Sequence, residues 1–146
     1  MKRTKLKDRN LPNYTKGEEI MNMTSHIVGG VIGITSLVLC LIFSVKHHNG
    51  YGVAGSIVVG ISMILLYTVS SVYHGLRKGT AKKVMQVIDH CTIFVLIAGT
   101  YTPVLLCSVR TYNSSLAWSL FAVIWFFAIL GIVLNAIDLK KYKIFL

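Results

Sequence analysis

Four long apolar stretches divide this chain of 146 residues. Each carries about 20 predominantly apolar residues, the length that crosses roughly 30 Å of hydrocarbon at about 1.5 Å per residue. Their side chains are apolar around most of the helix, whereas a helix of a soluble protein shows one apolar stripe. The sequence therefore predicts an all-α, polytopic membrane protein with spans at residues 27–45, 53–76, 87–108 and 116–137.

Composition supports the same class. Hydrophobic residues make up 54% of the chain and charged residues only 14%, against roughly 25% charged residues in a soluble domain. The first residues are basic and polar, and the apolar stretch that follows is too long for the core of a signal peptide. We therefore predict a retained, flexible basic tail at residues 1–17 and a membrane domain at residues 18–146.

The basic residues predict how the chain is oriented. Of the 15 lysines and arginines, only Lys46 and Arg110 fall in the first and third loops; the others lie in the tail, the second loop and the C-terminal end. Because positive residues collect on the cytoplasmic side, we expect both termini in the cytoplasm. The net charge of +10 is then a topology signal, and we expect no nucleic-acid partner because the charge is not gathered on one soluble module.

Small residues within the spans indicate close helix packing. Gly29 and Gly33 have the spacing that lets two helix backbones approach each other. We favour packing within one chain over homodimerisation, and the sequence names no partner for helix–helix association.

Polar side chains gather at one predicted membrane edge. Ser70 and His74 lie one turn apart near the end of the second stretch, and Asp89 opens the third. The basic loop at residues 77–83 returns the chain at one surface, which brings these side chains to about the same depth. The first helix, which we expect to begin near Glu18, delivers His26 to the same layer. Ionisable groups are costly at this depth, so the layer indicates a functional site.

Each of these residues has a simpler interpretation. His26 could cap the start of its span, His74 could reach the interface as an isolated histidine, and Asp89 could pair with Lys83 or cap the third helix. Taken together, however, they suit zinc, which binds neutral imidazole and carboxylate ligands. A zinc site needs at least three protein ligands, and only His74 is a firm candidate.

Three segments carry a resemblance to a known family. Residues 18–26 (EEIMNMTSH), 70–74 (SSVYH) and 89–103 (DHCTIFVLIAGTYTP) resemble the haemolysin III family in order and spacing. That family is the bacterial branch of the progestin and adiponectin receptor superfamily and is itself similar to the alkaline ceramidases. The resemblance runs from about Glu18 to Ile137 and implies a multi-pass protein of the bacterial plasma membrane.

The resemblance also implies a seven-helix bundle with a zinc ion inside the membrane. His74 would be one zinc ligand, while Asp89 would hold the zinc-bound water and Ser70 would support it as the second catalytic residue. The remaining ligands would come from an H-x-x-x-H motif in the seventh helix, which is not in this sequence. We therefore expect a chain shortened at its C-terminus, with an incomplete zinc site.

Two functions follow from the resemblance, and membrane lipids are the expected partners of both. The family name implies a pore-forming or cytolytic protein. The alternative is a zinc-dependent hydrolase of lipid amides, expected to be inactive in this shortened form. The hydrolase explains why a histidine, a serine and an aspartate share one layer, and the pore does not.

Overall fold

A computed structural model describes residues 6–138, apart from the side chains of Lys7 and Asp138, and the described residues are almost entirely helical. Four long helices follow one another: α1 (Lys16–Lys46), α2 (Gly50–Gly75), α3 (Thr80–Tyr112) and α4 (Ser114–Asp138). Each is long and apolar enough to cross a membrane. The predicted all-α fold with four spans is confirmed. The basic residues at positions 1–5 and 139–146 lie outside the described residues.

Side-chain caps explain where the helices begin. Thr15 and Glu18 form a reciprocal capping box at the start of α1, because the Glu18 amide donates to Thr15 and the Thr15 amide donates to the Glu18 carboxylate. Asn49 caps α2 by accepting a hydrogen bond from the Gly52 amide at 2.9 Å. The capping box confirms the predicted start of the first helix to within two residues.

Glycines set how closely neighbouring helices approach. A Cβ atom added at Gly29 in α1 would lie 2.7 Å from the ring of Tyr67 in α2, and one at Gly60 would lie 2.6 Å from Leu37. Gly55 in α2 meets the backbone of Pro103 in α3 in the same way. The small residues of α1 therefore pack within the chain, as favoured from the sequence.

Each long helix packs against the next one in the chain. The start of α1, the end of α2, the start of α3 and the end of α4 consequently meet at one end of the bundle, which we name the basic edge. Lys46 and Arg110 lie at the opposite end, as the charge pattern requires. The side of the membrane on which the basic edge lies stays a prediction.

Two features of the basic edge differ from the sequence expectation. α3 begins at Thr80, so Asp89 lies about two and a half turns inside the helix and does not cap it. The segment before α1 is also not a free tail where it is described. It forms a short 3₁₀ turn at Leu6–Asp8 that contacts α3, and Arg9 is buried against the end of α4. The hydropathy pattern does not reveal either feature, because the residues concerned are polar and yet pack onto the edge of the bundle.

Candidate functional site

Glu19 ties three helices together at the basic edge. His74 at the end of α2 donates from Nδ1 to one carboxylate oxygen of Glu19 at 2.7 Å, and Lys82 in α3 donates from Nζ to the other at 2.6 Å. The side chains of His74, Lys82 and Glu19 are only 8%, 4% and 17% exposed. We call these three residues the Glu19 cluster. It is an ion-paired contact that links residues far apart in the sequence.

Further contacts hold this cluster in place. Lys82 Nζ also donates to the main-chain oxygen of Leu76 at 3.0 Å, and it lies 5.1 Å from the centre of the Tyr73 ring. The Tyr73 ring packs edge-on against His74, with ring centres 4.7 Å apart. Tyr14, immediately before the α1 cap, approaches His74 from another side at 5.8 Å. The cluster is therefore enclosed by aromatic rings as well as by helix ends.

His26 reaches the predicted depth and lies beside His74. The two rings stack with their centres 5.9 Å apart and their planes inclined by 25°. His26 Nδ1 is also within 2.6 Å of the main-chain oxygen of Asn22. His26 therefore lies beside His74 with its Nδ1 on its own helix, and its role as a second ligand stays a prediction.

Ser70 and Asp89, the other two predicted site residues, are both buried. Ser70 lies one turn before His74 in α2, and Asp89 lies two turns after Lys82 in α3. Thr92 donates to the main-chain oxygen of Asp89 at 2.6 Å, and this bond does not involve the Asp89 carboxylate. The catalytic roles of Ser70 and Asp89 stay predictions.

The described residues fit one zinc ligand but not a zinc site. The Glu19 carboxylate holds His74 through Nδ1 and leaves Nε2 as the nitrogen for a metal, which is the usual carboxylate–histidine arrangement around metals. Within residues 6–138, however, no group of three histidine, cysteine or acidic side chains is placed to hold an ion. No step of a reaction is therefore assigned to a metal.

The sequence pattern missed the roles of Glu19 and Lys82. Glu19 lies within the motif at residues 18–26 but receives no role of its own there, and Lys82 is one of several basic residues of the loop at residues 77–83. The available signal was a carboxylate on one predicted helix at the depth of a histidine on the next. Lys82 gave no such signal, because its burial depends on α3 beginning at Thr80.

Comparison with known proteins agrees with the motifs. A family model described as "Haemolysin-III related" matches residues 14–145. The chain is 37% identical over 125 residues to a Bacillus cereus protein named Hemolysin-3, covering 86% of this chain and 56% of that protein. It is 34% identical over 129 residues to a Hemolysin-3 homolog of Bacillus subtilis (strain 168), covering 88% of this chain and 59% of that protein. The chain thus spans less than three fifths of the length of these relatives. No solved structure matches it.

Proposed function

Because this chain belongs to the haemolysin III family, we propose that its buried polar layer is part of a hydrolase site for lipid amides and not the lining of a pore. The observation that carries this proposal is the Glu19 cluster, with charged side chains enclosed at one edge of an otherwise apolar bundle. An amide-linked lipid has its polar group at the same depth, while its chains lie in the hydrocarbon.

The residues of this layer can bind the polar part of such a lipid. Ser70 offers a hydroxyl group that can donate to an amide carbonyl, and Asp89 offers a carboxylate that can accept an amide proton or take a proton from water. Glu19 fixes the orientation of His74, so that Nε2 is the free nitrogen of its ring. Lys82 balances the charge of Glu19 and keeps that carboxylate in place.

We expect a photoactivatable lipid amide to cross-link to the basic-edge ends of α2 and α3 in the purified chain. Because binding uses the polar layer, His74→Ala and Asp89→Asn should each reduce cross-linking about tenfold. Peptide mapping by mass spectrometry locates the product, and an excess of unlabelled lipid amide should compete for it. His47→Ala is the matched control, since His47 is exposed at the opposite edge.

Cross-linking that is spread evenly over the four helices would contradict a lipid-amide site. So would cross-linking that is unaffected by both substitutions, or that is competed equally well by phosphatidylcholine.

Membrane lysis is a second candidate function, because both relatives carry the printed name Hemolysin-3. The described helices do not resemble a pore lining. Buried hydroxyl groups in mid-span bond to their own helix, as Ser62 does to the oxygen of Val58 and Thr102 does to that of Ala98. We therefore expect that any leakage of dye-loaded vesicles caused by the purified chain will survive His74→Ala. Leakage that this substitution abolishes would show that the two functions share one site.

A further inference from the structure

A short irregular segment crosses the basic edge from α1 to α4. It comprises residues 9–15 (RNLPNYT), which form no helix, and we name it the strap. The capping box at Thr15 fixes one end of the strap to the start of α1, and Arg9 fixes the other end to the last turn of α4. Extended chain reaches about 3.3–3.6 Å per residue, so the strap can cross about 20 Å, or about two interhelical spacings. It thus links the first and the last of the four helices.

Arg9 holds the far end of the strap by a weak contact. Its Nη2 donates to the main-chain oxygens of Ala136 and Ile137 at 3.5 and 3.4 Å, which are long for hydrogen bonds of this type. These carbonyls lie at the negative end of the α4 dipole, which attracts the guanidinium charge. Within residues 6–138, however, Nε and Nη1 are buried without a hydrogen-bond partner, and this burial costs free energy. Because the attraction and the cost oppose each other, the contact is suited to opening.

The middle of the strap is held by little else. Asn13 accepts a hydrogen bond from Lys78 Nζ at 3.4 Å, which is also long. Asn10, Pro12, Asn13 and Tyr14 are all exposed. Segments with few buried contacts open locally at a small cost in free energy. The strap is therefore a segment held mainly at its two ends.

The strap places an aromatic ring against the Glu19 cluster. The ring centres of Tyr14 and His74 lie 5.8 Å apart, and the side chain of His74 is only 8% exposed. The other rings around His74 are those of Tyr73 and His26, which belong to α2 and α1. Those two rings cannot leave without moving a helix, whereas Tyr14 can leave with the strap. Tyr14 is thus the movable part of the enclosure.

We propose that the strap is a gate on the aqueous side of the Glu19 cluster, closed by the contact of Arg9 with the end of α4. When Arg9 leaves α4, the chain before the capping box is released, Tyr14 moves away, and water-borne groups reach His74. The proposal names the regulation of the proposed lipid-amide site and rests on that function for what the gate admits. Its test measures the access of a water-soluble reagent to His74 and not hydrolysis.

Diethyl pyrocarbonate modifies histidine rings, and peptide mass spectrometry of the detergent-solubilised chain gives a rate for each histidine. We expect His74 in the unaltered chain to react more slowly than His47, which is exposed and also has Nδ1 in a hydrogen bond. Arg9→Gln should raise the His74 rate about tenfold, since it removes the charge attracted to the end of α4. Arg9→Lys should give an intermediate rate. Arg77→Gln is the matched control, because Arg77 is an exposed arginine at the same edge.

Two substitutions at Tyr14 test whether its ring shields His74. Tyr14→Ala should raise the His74 rate as Arg9→Gln does, and Tyr14→Phe, which keeps the ring, should leave the rate unchanged. Circular dichroism and an unchanged rate at His47 show that each variant is folded.

Equal rates at His74 and His47 in the unaltered chain would overturn the proposal, and this outcome needs no variant. A His74 rate that rises in Tyr14→Ala but not in Arg9→Gln would also overturn it, because the ring would then shield His74 without the contact to α4. Faster reaction of His74 in Arg9→Gln, with no cross-linked lipid amide, would keep the gate and reject the proposed function.

Discussion

Replacing Lys82 with methionine is expected to lower the free energy of unfolding by about 3–5 kcal/mol, the typical cost of removing one partner from a buried ion pair. The side chain of Lys82 is 4% exposed and donates to Glu19 at 2.6 Å. Its removal leaves the Glu19 carboxylate in a poorly hydrated position, with His74 as its remaining partner in the cluster. It also removes the bond that Lys82 makes to the carbonyl of Leu76 at the end of α2.

Reversible unfolding of the purified chain in mixed detergent micelles measures this difference. Lys78→Met is the matched control, since Lys78 is an exposed lysine near the same edge and makes one long hydrogen bond, to Asn13 at 3.4 Å. We expect it to change stability by less than about 0.5 kcal/mol.

A second substitution separates loss of the ion pair from loss of packing. Adding Glu19→Gln to Lys82→Met removes the unpaired carboxylate, and we expect it to recover part of the lost stability. If Lys82→Met is as mild as Lys78→Met, then the Glu19 cluster does not hold the three helices together. If the double variant loses more free energy of unfolding than the two single variants lose together, then the cost lies in packing and not in charge.

The membrane spans were predictable because hydropathy is a local property. A stretch of apolar residues such as Ile57–Leu66 must find an apolar environment whatever the rest of the chain does. The edges of the bundle depend on distant partners and were harder to predict. Lys82 is buried because its Nζ donates a hydrogen bond to Glu19, which lies 63 residues earlier in the sequence. Arg9 is buried because it donates to a carbonyl at the end of α4.

The same distinction applies to the candidate site. Topology alone brought His26 and His74 to one depth, because adjacent antiparallel spans return to the same surface. Topology did not predict the ring contact between His26 and His74. That contact depends on the close packing of α1 against α2, where Gly29 leaves room for the Tyr67 ring and His26 contacts the same ring. Nor did topology predict Glu19 as the partner of His74, because a glutamate near the start of a helix is most simply explained as a favourable charge at the helix dipole.

Any zinc bound by this chain is expected to be weakly held and to depend on His74. Among the described histidines, only His74 has its Nδ1 held by a carboxylate, that of Glu19. This arrangement is usual for a metal-binding histidine, and it leaves Nε2 as the nitrogen that can bind the metal. No group of three histidine, cysteine or acidic side chains within residues 6–138 is placed to hold an ion. With fewer ligands than a closed site, the metal should be removed by a mild chelator.

Isothermal titration with zinc and metal analysis of the purified chain test this expectation. His74→Ala should abolish the weak binding, Asp89→Asn should weaken it, and Glu19→Gln should weaken it about 10–100-fold, the usual effect of losing the group that orients a metal-binding histidine. His47→Ala is the control. The Nδ1 of His47 is likewise held by a hydrogen-bonding partner, the main-chain oxygen of Phe43 at 2.8 Å, but His47 lies at the opposite edge of the bundle. Stoichiometric zinc that resists the chelator and is indifferent to His74→Ala would place the metal elsewhere in the chain. Binding lost in His74→Ala but unchanged in Glu19→Gln would keep the ligand and reject Glu19 as the residue that positions it.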